Sequence, residues 1–191
     1  MDTLQTHFQN IQQIFRQGKA DAWQAVNAHA LLVNWQIGAY LSQRLTESVY
    51  GDRVVSSLAE WLVQKEPNLK GCDRRSLYRM RVFFETWYAA DWSLLPETFQ
   101  DSQTLEVNLY ATPEQKIVAT ASPQSLPSIP PILLRISWSQ HIDLLSSCTS
   151  HEERLFYLVL AIKDRYDVRE LRRQIKSALF ERQMLSKQTL I

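Results

Sequence analysis

Residues Asp73 to Trp87 read DRRSLYRMRVFFETW. Within them Leu77, Met80, Phe84 and Trp87 follow a 3,4,3 spacing, the signature of one buried face of an α-helix. Asp73 is placed to cap that helix, and the pattern extends it to about Ala89. At about 100° per residue, Arg75 and Arg79 fall nearly opposite the apolar stripe, and Arg74, Tyr78 and Arg81 lie on its flank. Upstream, Tyr50-Gly51-Asp52 interrupts the chain, and Asp52 can cap a helix from Arg53 to Glu66 with Val54, Leu58, Trp61 and Leu62 facing inward. Pro67 and Gly71 enclose the short turn between them. Two helices joined this way have the proportions of a helix-turn-helix over residues 53–89.

The rest of the chain reads as helix on both sides of one interruption. Leu4, Phe8, Ile11 and Phe15 form an amphipathic stripe. A longer helix is expected from Ala20 to Leu45, with Trp23, Val26, Ala30, Val33 and Ile37 on one side. Gly38 sits inside it. A mid-helix glycine costs about 1 kcal/mol relative to alanine, so the close approach of another helix is expected there.

Six of the seven prolines lie between Asp91 and Pro131, together with five acidic residues and one basic residue, Lys116. Proline's fixed φ and missing amide donor exclude a long helix, and the segment reads as an acidic, Pro/Ser/Thr-rich linker or loop, with a short strand at Gln115 to Thr120 as an option. With 20 of 21 basic and 15 of 20 acidic residues outside this segment, the remainder carries a net +5. The overall charge of +1 therefore conceals two opposed regions. Beyond the linker, Ser137 with Gln140, Ser150 with Glu153 and Asp167 with Glu170 have the spacing of capping boxes. They open three expected helices, from Trp138 to Ser146, His151 to Arg165 and Val168 to Lys187. The last places Leu171, Ile175, Ala178, Leu179 and Leu185 on a buried stripe. The organisation is thus an N-terminal helical region (1–90), the linker (91–131) and a C-terminal three-helix region (132–191), in an all-α multi-helix bundle.

Composition agrees. The chain has 191 residues, 45% hydrophobic, with only 4 glycines. That argues against global disorder and against a turn-rich β fold. Cys72 and Cys148 are the only cysteines, which fits a reducing compartment better than a disulfide scaffold. The start of the chain is polar rather than signal-like. The longest apolar run, Phe156 to Ile162, is too short to cross a bilayer. A cytoplasmic protein with no membrane partner is the expectation.

Arginine pairs bidentately with phosphate and with guanine edges, and the start of a helix favours an anion. Nucleic-acid contacts are therefore expected from Arg74, Arg75 and Arg79, with Lys70 at the turn, Tyr78 to stack or donate, and Arg81 shared with the core edge. The alternative is a solvated face, or arginines that bind the linker's own carboxylates. Arg169, Arg172, Arg173 and Lys176 form a second basic stripe, better read as solvated surface with local ion pairs. Catalytic signals are poor. His7, His29, His141 and His151 show no metal-ligand spacing, and His29 is expected to be packed. No P-loop or G-x-S-x-G occurs. Glu114-Gln115-Lys116 with Asp101 matches the acidic and E-x-K parts of a metal-dependent nuclease, but in a proline-rich setting without a rigid strand pair. No catalytic residue, metal or cofactor is expected.

Several segments, taken in order, resemble the N-terminal domain of the YhcG family, a bacterial domain of unknown function. They are LVNWQIGAYL (Leu32 to Leu41), Tyr50-Gly51, the Asp73 to Trp87 stretch, Ile136-Ser137-Trp138-Ser139, and YDVRELRRQIKSALFERQ (Tyr166 to Gln183). The family's Arg-Arg-x-Leu run falls on Arg74, Arg75 and Leu77, and its Met-Arg pair on Met80 and Arg81. Asp73 stands where the family's cap is usually serine. The resemblance implies an all-helical, helix-turn-helix or winged-helix-like module that binds double-stranded DNA. Full-length relatives continue into a PD-(D/E)XK nuclease domain. Here that domain would lie beyond Ile191 or come from a partner nuclease. The competing expectation is a protein-interaction or homo-oligomerisation module, pairing above all through the Val168 to Lys187 helix, with no direct DNA contact.

Overall fold

A computed structural model describes residues 2–46, 51–100 and 127–188. Eight α-helices occur among them: α1 (Asp2–Thr46), α2 (Gly51–Lys65), α3 (Arg74–Tyr88), α4 (Glu97–Gln100), α5 (Trp138–Ser147), α6 (His151–Lys163), α7 (Val168–Lys176) and α8 (Leu179–Gln188). Short 3₁₀ turns at Trp92–Leu94 and Pro131–Arg135 complete the elements. The described residues contain no strand, and hence no wing. The strand option at 115–120, the Glu114-Gln115-Lys116 match with Asp101 and the Asp52 cap fall outside the described backbone or side chains.

α1 and α3 form the central pair. Trp35 of α1 packs edge-on against Phe83 and Phe84 of α3, at centroid distances of 5.8 and 4.8 Å. Gly38 is the crossing point. A Cβ there would run into the Met80 carbonyl oxygen and stand 2.8 Å from the Met80 carbonyl carbon and the Phe84 Cβ. The expected close approach is therefore met by α3.

One core joins the two sides of the proline-rich segment. Leu31, Trp35, Phe83 and Trp87 from the first side meet Leu133, Leu144, Leu158 and Leu171 from the second. The described ends of the segment itself are packed rather than free. Leu95 and Ile129 are buried, and the Trp35 indole N–H donates to the Pro127 carbonyl at 2.7 Å. Asn27 donates to the Ile136 carbonyl at 3.0 Å, tying α1 to the turn before α5. A smaller cluster, Leu41, Val55, Ala59, Leu77 and Met80, seats α2.

Several faces differ from the sequence reading. α1 is continuous through Gly18. Its buried face is Ala28, Leu31, Trp35 and Ala39, whereas Trp23, Val26, Ala30 and Val33 are exposed and Ile37 is half-buried. α2 buries Val55 and Ala59, leaves Leu58 and Leu62 half-buried, and exposes Val54 and Trp61. Apolar residues cover a broad arc of α2, and its narrow contact with α1 and α3 selects one edge of that arc. The expected Val168–Lys187 helix is broken at Ser177-Ala178, where Ala178 takes φ 51°. The Tyr157 hydroxyl spans the break, donating to the Gln174 carbonyl at 3.3 Å and accepting from the Phe180 amide at 3.2 Å. Leu171 is buried, Ile175, Ala178 and Leu179 are half-buried, and Leu185 is exposed.

Candidate nucleic-acid interface

α3 begins where the sequence places it. The Asp73 carboxylate accepts the Ser76 amide at 3.1 Å and the Ser76 hydroxyl at 2.6 Å. The hydroxyl bond, and then the amide, hold the Asp73 carboxyl below its ordinary range. Gly71, at φ 81°, turns the chain into the cap, a conformation that glycine adopts without steric cost. The stripe Leu77, Met80, Phe84 and Trp87 is buried, joined by Phe83.

That burial turns the arginines outward to different degrees. Lys70, Arg74 and Arg75 are exposed, and Arg79 is half-buried beside the widened core face. None of these four has a carboxylate partner among the described residues. The Arg74 guanidinium lies 5.4 Å from the Tyr78 ring centroid. Arg81 is engaged within the helix, its Nε 2.7 Å from Glu85 Oε1, and the same oxygen accepts from the Ser42 hydroxyl of α1 at 3.0 Å. The structure thus gathers Lys70, Arg74, Arg75 and Tyr78 at one end of α3 and assigns Arg81 to the α1–α3 seam.

The second basic stripe is partly neutralised. Arg172 Nε lies 2.7 Å from Asp143 of α5, and Arg173 lies 2.8 Å from Glu170. Arg169 and Lys176 are exposed. Asp73, Ser137, Ser150 and Asp167 all cap their helices. Only Ser137 and Gln140 complete the reciprocal box. The Glu153 carboxylate turns to the Thr149 amide instead, and that of Glu170 to Arg173 and Gln174.

The histidines do not converge. His7 and His29 are exposed, the latter against the expectation of packing, because it lies off the buried face of α1. His151 accepts from the Asp91 amide at 3.0 Å. His141 is fully buried against Phe83 and Trp87. Its Nε2 lies 2.8 Å from the Leu133 carbonyl. A carbonyl only accepts, so Nε2 carries the proton and Nδ1, which has no partner among the described residues, is bare. Burial lowers its pKa to about 4. No group of three or more metal-ligating residues occurs among the described residues, and no described helix is long and apolar enough to cross a membrane.

Sequence reading did not find a cleft of ≈ 390 Å³ lined by Trp23, Arg135, Gln140, Arg165 and Tyr166 among others. Its residues come from α1, the turn before α5, α5 and the α6–α7 connection, so no local pattern announces it.

An all-helical module with a cationic helix start is the class these features define. The chain belongs to the DUF1016 N-terminal domain family, whose model matches residues 10–182, and this is the YhcG N-terminal family that its segments resemble. The family is a domain of unknown function. No curated protein and no solved structure matches the chain.

Proposed function

We propose that this chain is a non-catalytic, cytoplasmic module that binds double-stranded DNA through the start of α3. The observation that carries this reading is the exposure of Arg74 and Arg75 in the first turn of α3 without a carboxylate partner among the described residues. Lys70 lies just ahead of them. The Asp73 charge opposes a phosphate, but three exposed cations, Lys70, Arg74 and Arg75, lie within three residues of it, so the balance at this end favours an anion. α2 and α3 act as the helix-turn-helix pair. Its connection, residues 66–73, is longer than the usual three or four residues. The phosphate contacts come from Arg74 and Arg75 with Lys70, Tyr78 stacks or donates, and Arg79 supports them from the edge. In its biological setting the module positions a PD-(D/E)XK-type nuclease, supplied by a following domain or by a partner.

Duplex titration by fluorescence anisotropy across a salt series tests this. Three neutralised phosphates give a slope of log affinity against log salt of about −2.7, or roughly a fortyfold loss between 50 and 200 mM salt. Arg74→Glu with Arg75→Glu should abolish binding while the thermal transition stays nearly in place, since both side chains are exposed. Wild-type-like binding by that double variant would refute the assignment.

A further inference from the structure

α1 carries a second apolar stripe that the described residues leave largely uncovered; they reach it at Ile37, which packs against the cluster that seats α2, and beside Trp23, which edges the cleft with Arg135 and Tyr166. At about 100° per residue, Leu4, Phe8, Ile11, Phe15, Trp23, Val26, Ala30, Val33, Ile37 and Tyr40 fall within an arc of about 120°. The core face of Ala28, Leu31, Trp35 and Ala39 lies on the opposite side. Leu4, Phe8, Ile11 and Phe15 are 62%, 61%, 52% and 67% exposed; Trp23, Val26, Val33 and Tyr40 are 60%, 71%, 39% and 48% exposed. All described side chains from residue 4 to residue 26 are exposed, and α1 stands clear of the body until Trp23, which edges the cleft.

The exposed area is large. At about 200 Å² for a whole aromatic side chain, the four aromatic residues of the stripe expose roughly 500 Å². The aliphatic residues bring the total to about 800 Å², above the largest patch of a typical monomer and equal to one partner's share of a standard interface. The polar side of the same stretch is rich in glutamine, and its only cations from residue 3 to residue 26 are Arg16 and Lys19 besides His7. A helix that lies on lipid carries a lysine- and arginine-rich polar face. The composition therefore selects a protein surface.

We infer that the stripe of α1 pairs antiparallel with the same stripe of a second copy of this chain. The order of residue sizes favours self-pairing. The first half presents Leu4, Phe8, Ile11 and Phe15, and the second half presents Val26, Ala30, Val33 and Ile37. Antiparallel pairing sets Phe8 level with Val33, Ile11 with Ala30, and Phe15 with Val26 of the partner. A larger residue then meets a smaller one at these three levels, as interdigitated packing requires, and Leu4 meets Ile37 at the end of the register. Parallel pairing would set Phe8 on Phe8 and Ala30 on Ala30. The body of each copy packs mainly on the far side of its own α1, through Ala28, Leu31, Trp35 and Ala39, and touches the stripe only at Ile37 and beside Trp23.

Sedimentation equilibrium of the full chain should give a dimer, and Phe8→Gln with Phe15→Gln should raise the dimer Kd a hundredfold or more. Because both side chains are exposed, the near-ultraviolet circular dichroism of the body should be unchanged in that variant. For the direction of pairing, Ile11→Cys and Ala30→Cys proteins, each also carrying Cys72→Ser, should form a disulfide-linked heterodimer when mixed, faster than either links to itself. A monomer at 100 μM, or a dimer indifferent to the double variant, overturns the pairing. Preferential linking of Ile11→Cys to itself overturns its antiparallel direction.

Discussion

Replacing Gly38 by alanine tests the α1–α3 crossing on which the positions of Trp35 and the α3 arginines depend. Two effects oppose each other. Alanine in a helix interior is favoured over glycine by about 1 kcal/mol. Against that, the new methyl would meet the Met80 carbonyl oxygen, with the Met80 carbonyl carbon and Phe84 Cβ each 2.8 Å away. Two of these atoms are backbone within a helix, and the third is the root of a buried ring. None can give way without moving α3 as a whole. Overpacking of that kind costs typically about 1–3 kcal/mol, and contact with rigid backbone lies at the upper end. The expected net loss is about 1–2 kcal/mol, or a fall in Tm of roughly 2–8 °C for a chain of this size. Gly18→Ala is the internal control, since nothing lies within 4 Å of its added Cβ. It should be neutral or gain up to about 1 kcal/mol. Urea and thermal unfolding followed by circular dichroism give both values. If Gly38→Ala proves as stable as Gly18→Ala, the helices do not cross where Gly38 places them.

Buried neutral His141 makes stability depend on pH. Its pKa is about 4 in the fold against 6.5 when unfolded, so the unfolded chain takes up the proton first, and stability falls as pH drops from about 6.5 to 4, by up to about 3 kcal/mol. Urea midpoints at pH 7 and 4.5 should converge in His141→Gln; an unchanged difference between them would remove His141 as the cause. Tyr157→Phe leaves the Phe180 amide and the Gln174 carbonyl without the hydroxyl that joins them, at a cost of about 1–3 kcal/mol, and hydrogen exchange should accelerate at the α7–α8 break. Arg172→Ala should loosen α7 from Asp143, whose side chain is only 13% exposed, and lower Tm, whereas Arg169→Ala, at an exposed position, should leave Tm unchanged.

Features fixed by a few neighbouring residues could be read from the sequence. A cap needs only a short polar side chain and the next helical turn, so Asp73, Ser137, Ser150 and Asp167 were all legible. The α3 stripe was legible because Leu77, Met80, Phe84 and Trp87 face a single direction and arginines occupy the other side. For the same reason the exposure of Arg75 follows from spacing alone, whereas Arg74, which the spacing sets on the flank, is exposed as well. The half-burial of Arg79 was not legible, because Phe83 widens the buried face toward it.

The faces of α1 were not legible, because that helix carries apolar residues on two opposite sides. Trp23, Val26, Ala30 and Val33 form as regular a series as Ala28, Leu31, Trp35 and Ala39. What separates them is α3: only the second series includes the neighbourhood of Gly38, where a partner backbone can come close enough to exclude a Cβ. The glycine therefore held the missing information, because the face it lies on has to be the one that meets another helix. The break between α7 and α8 contains no glycine or proline to mark it; it depends on one hydroxyl supplied from α6, seventeen residues before the carbonyl it engages. An apolar series by itself establishes only that a surface must be covered. Whether the chain's own core or a second copy covers it is decided by tertiary contacts, and on α1 both cases stand on one rod.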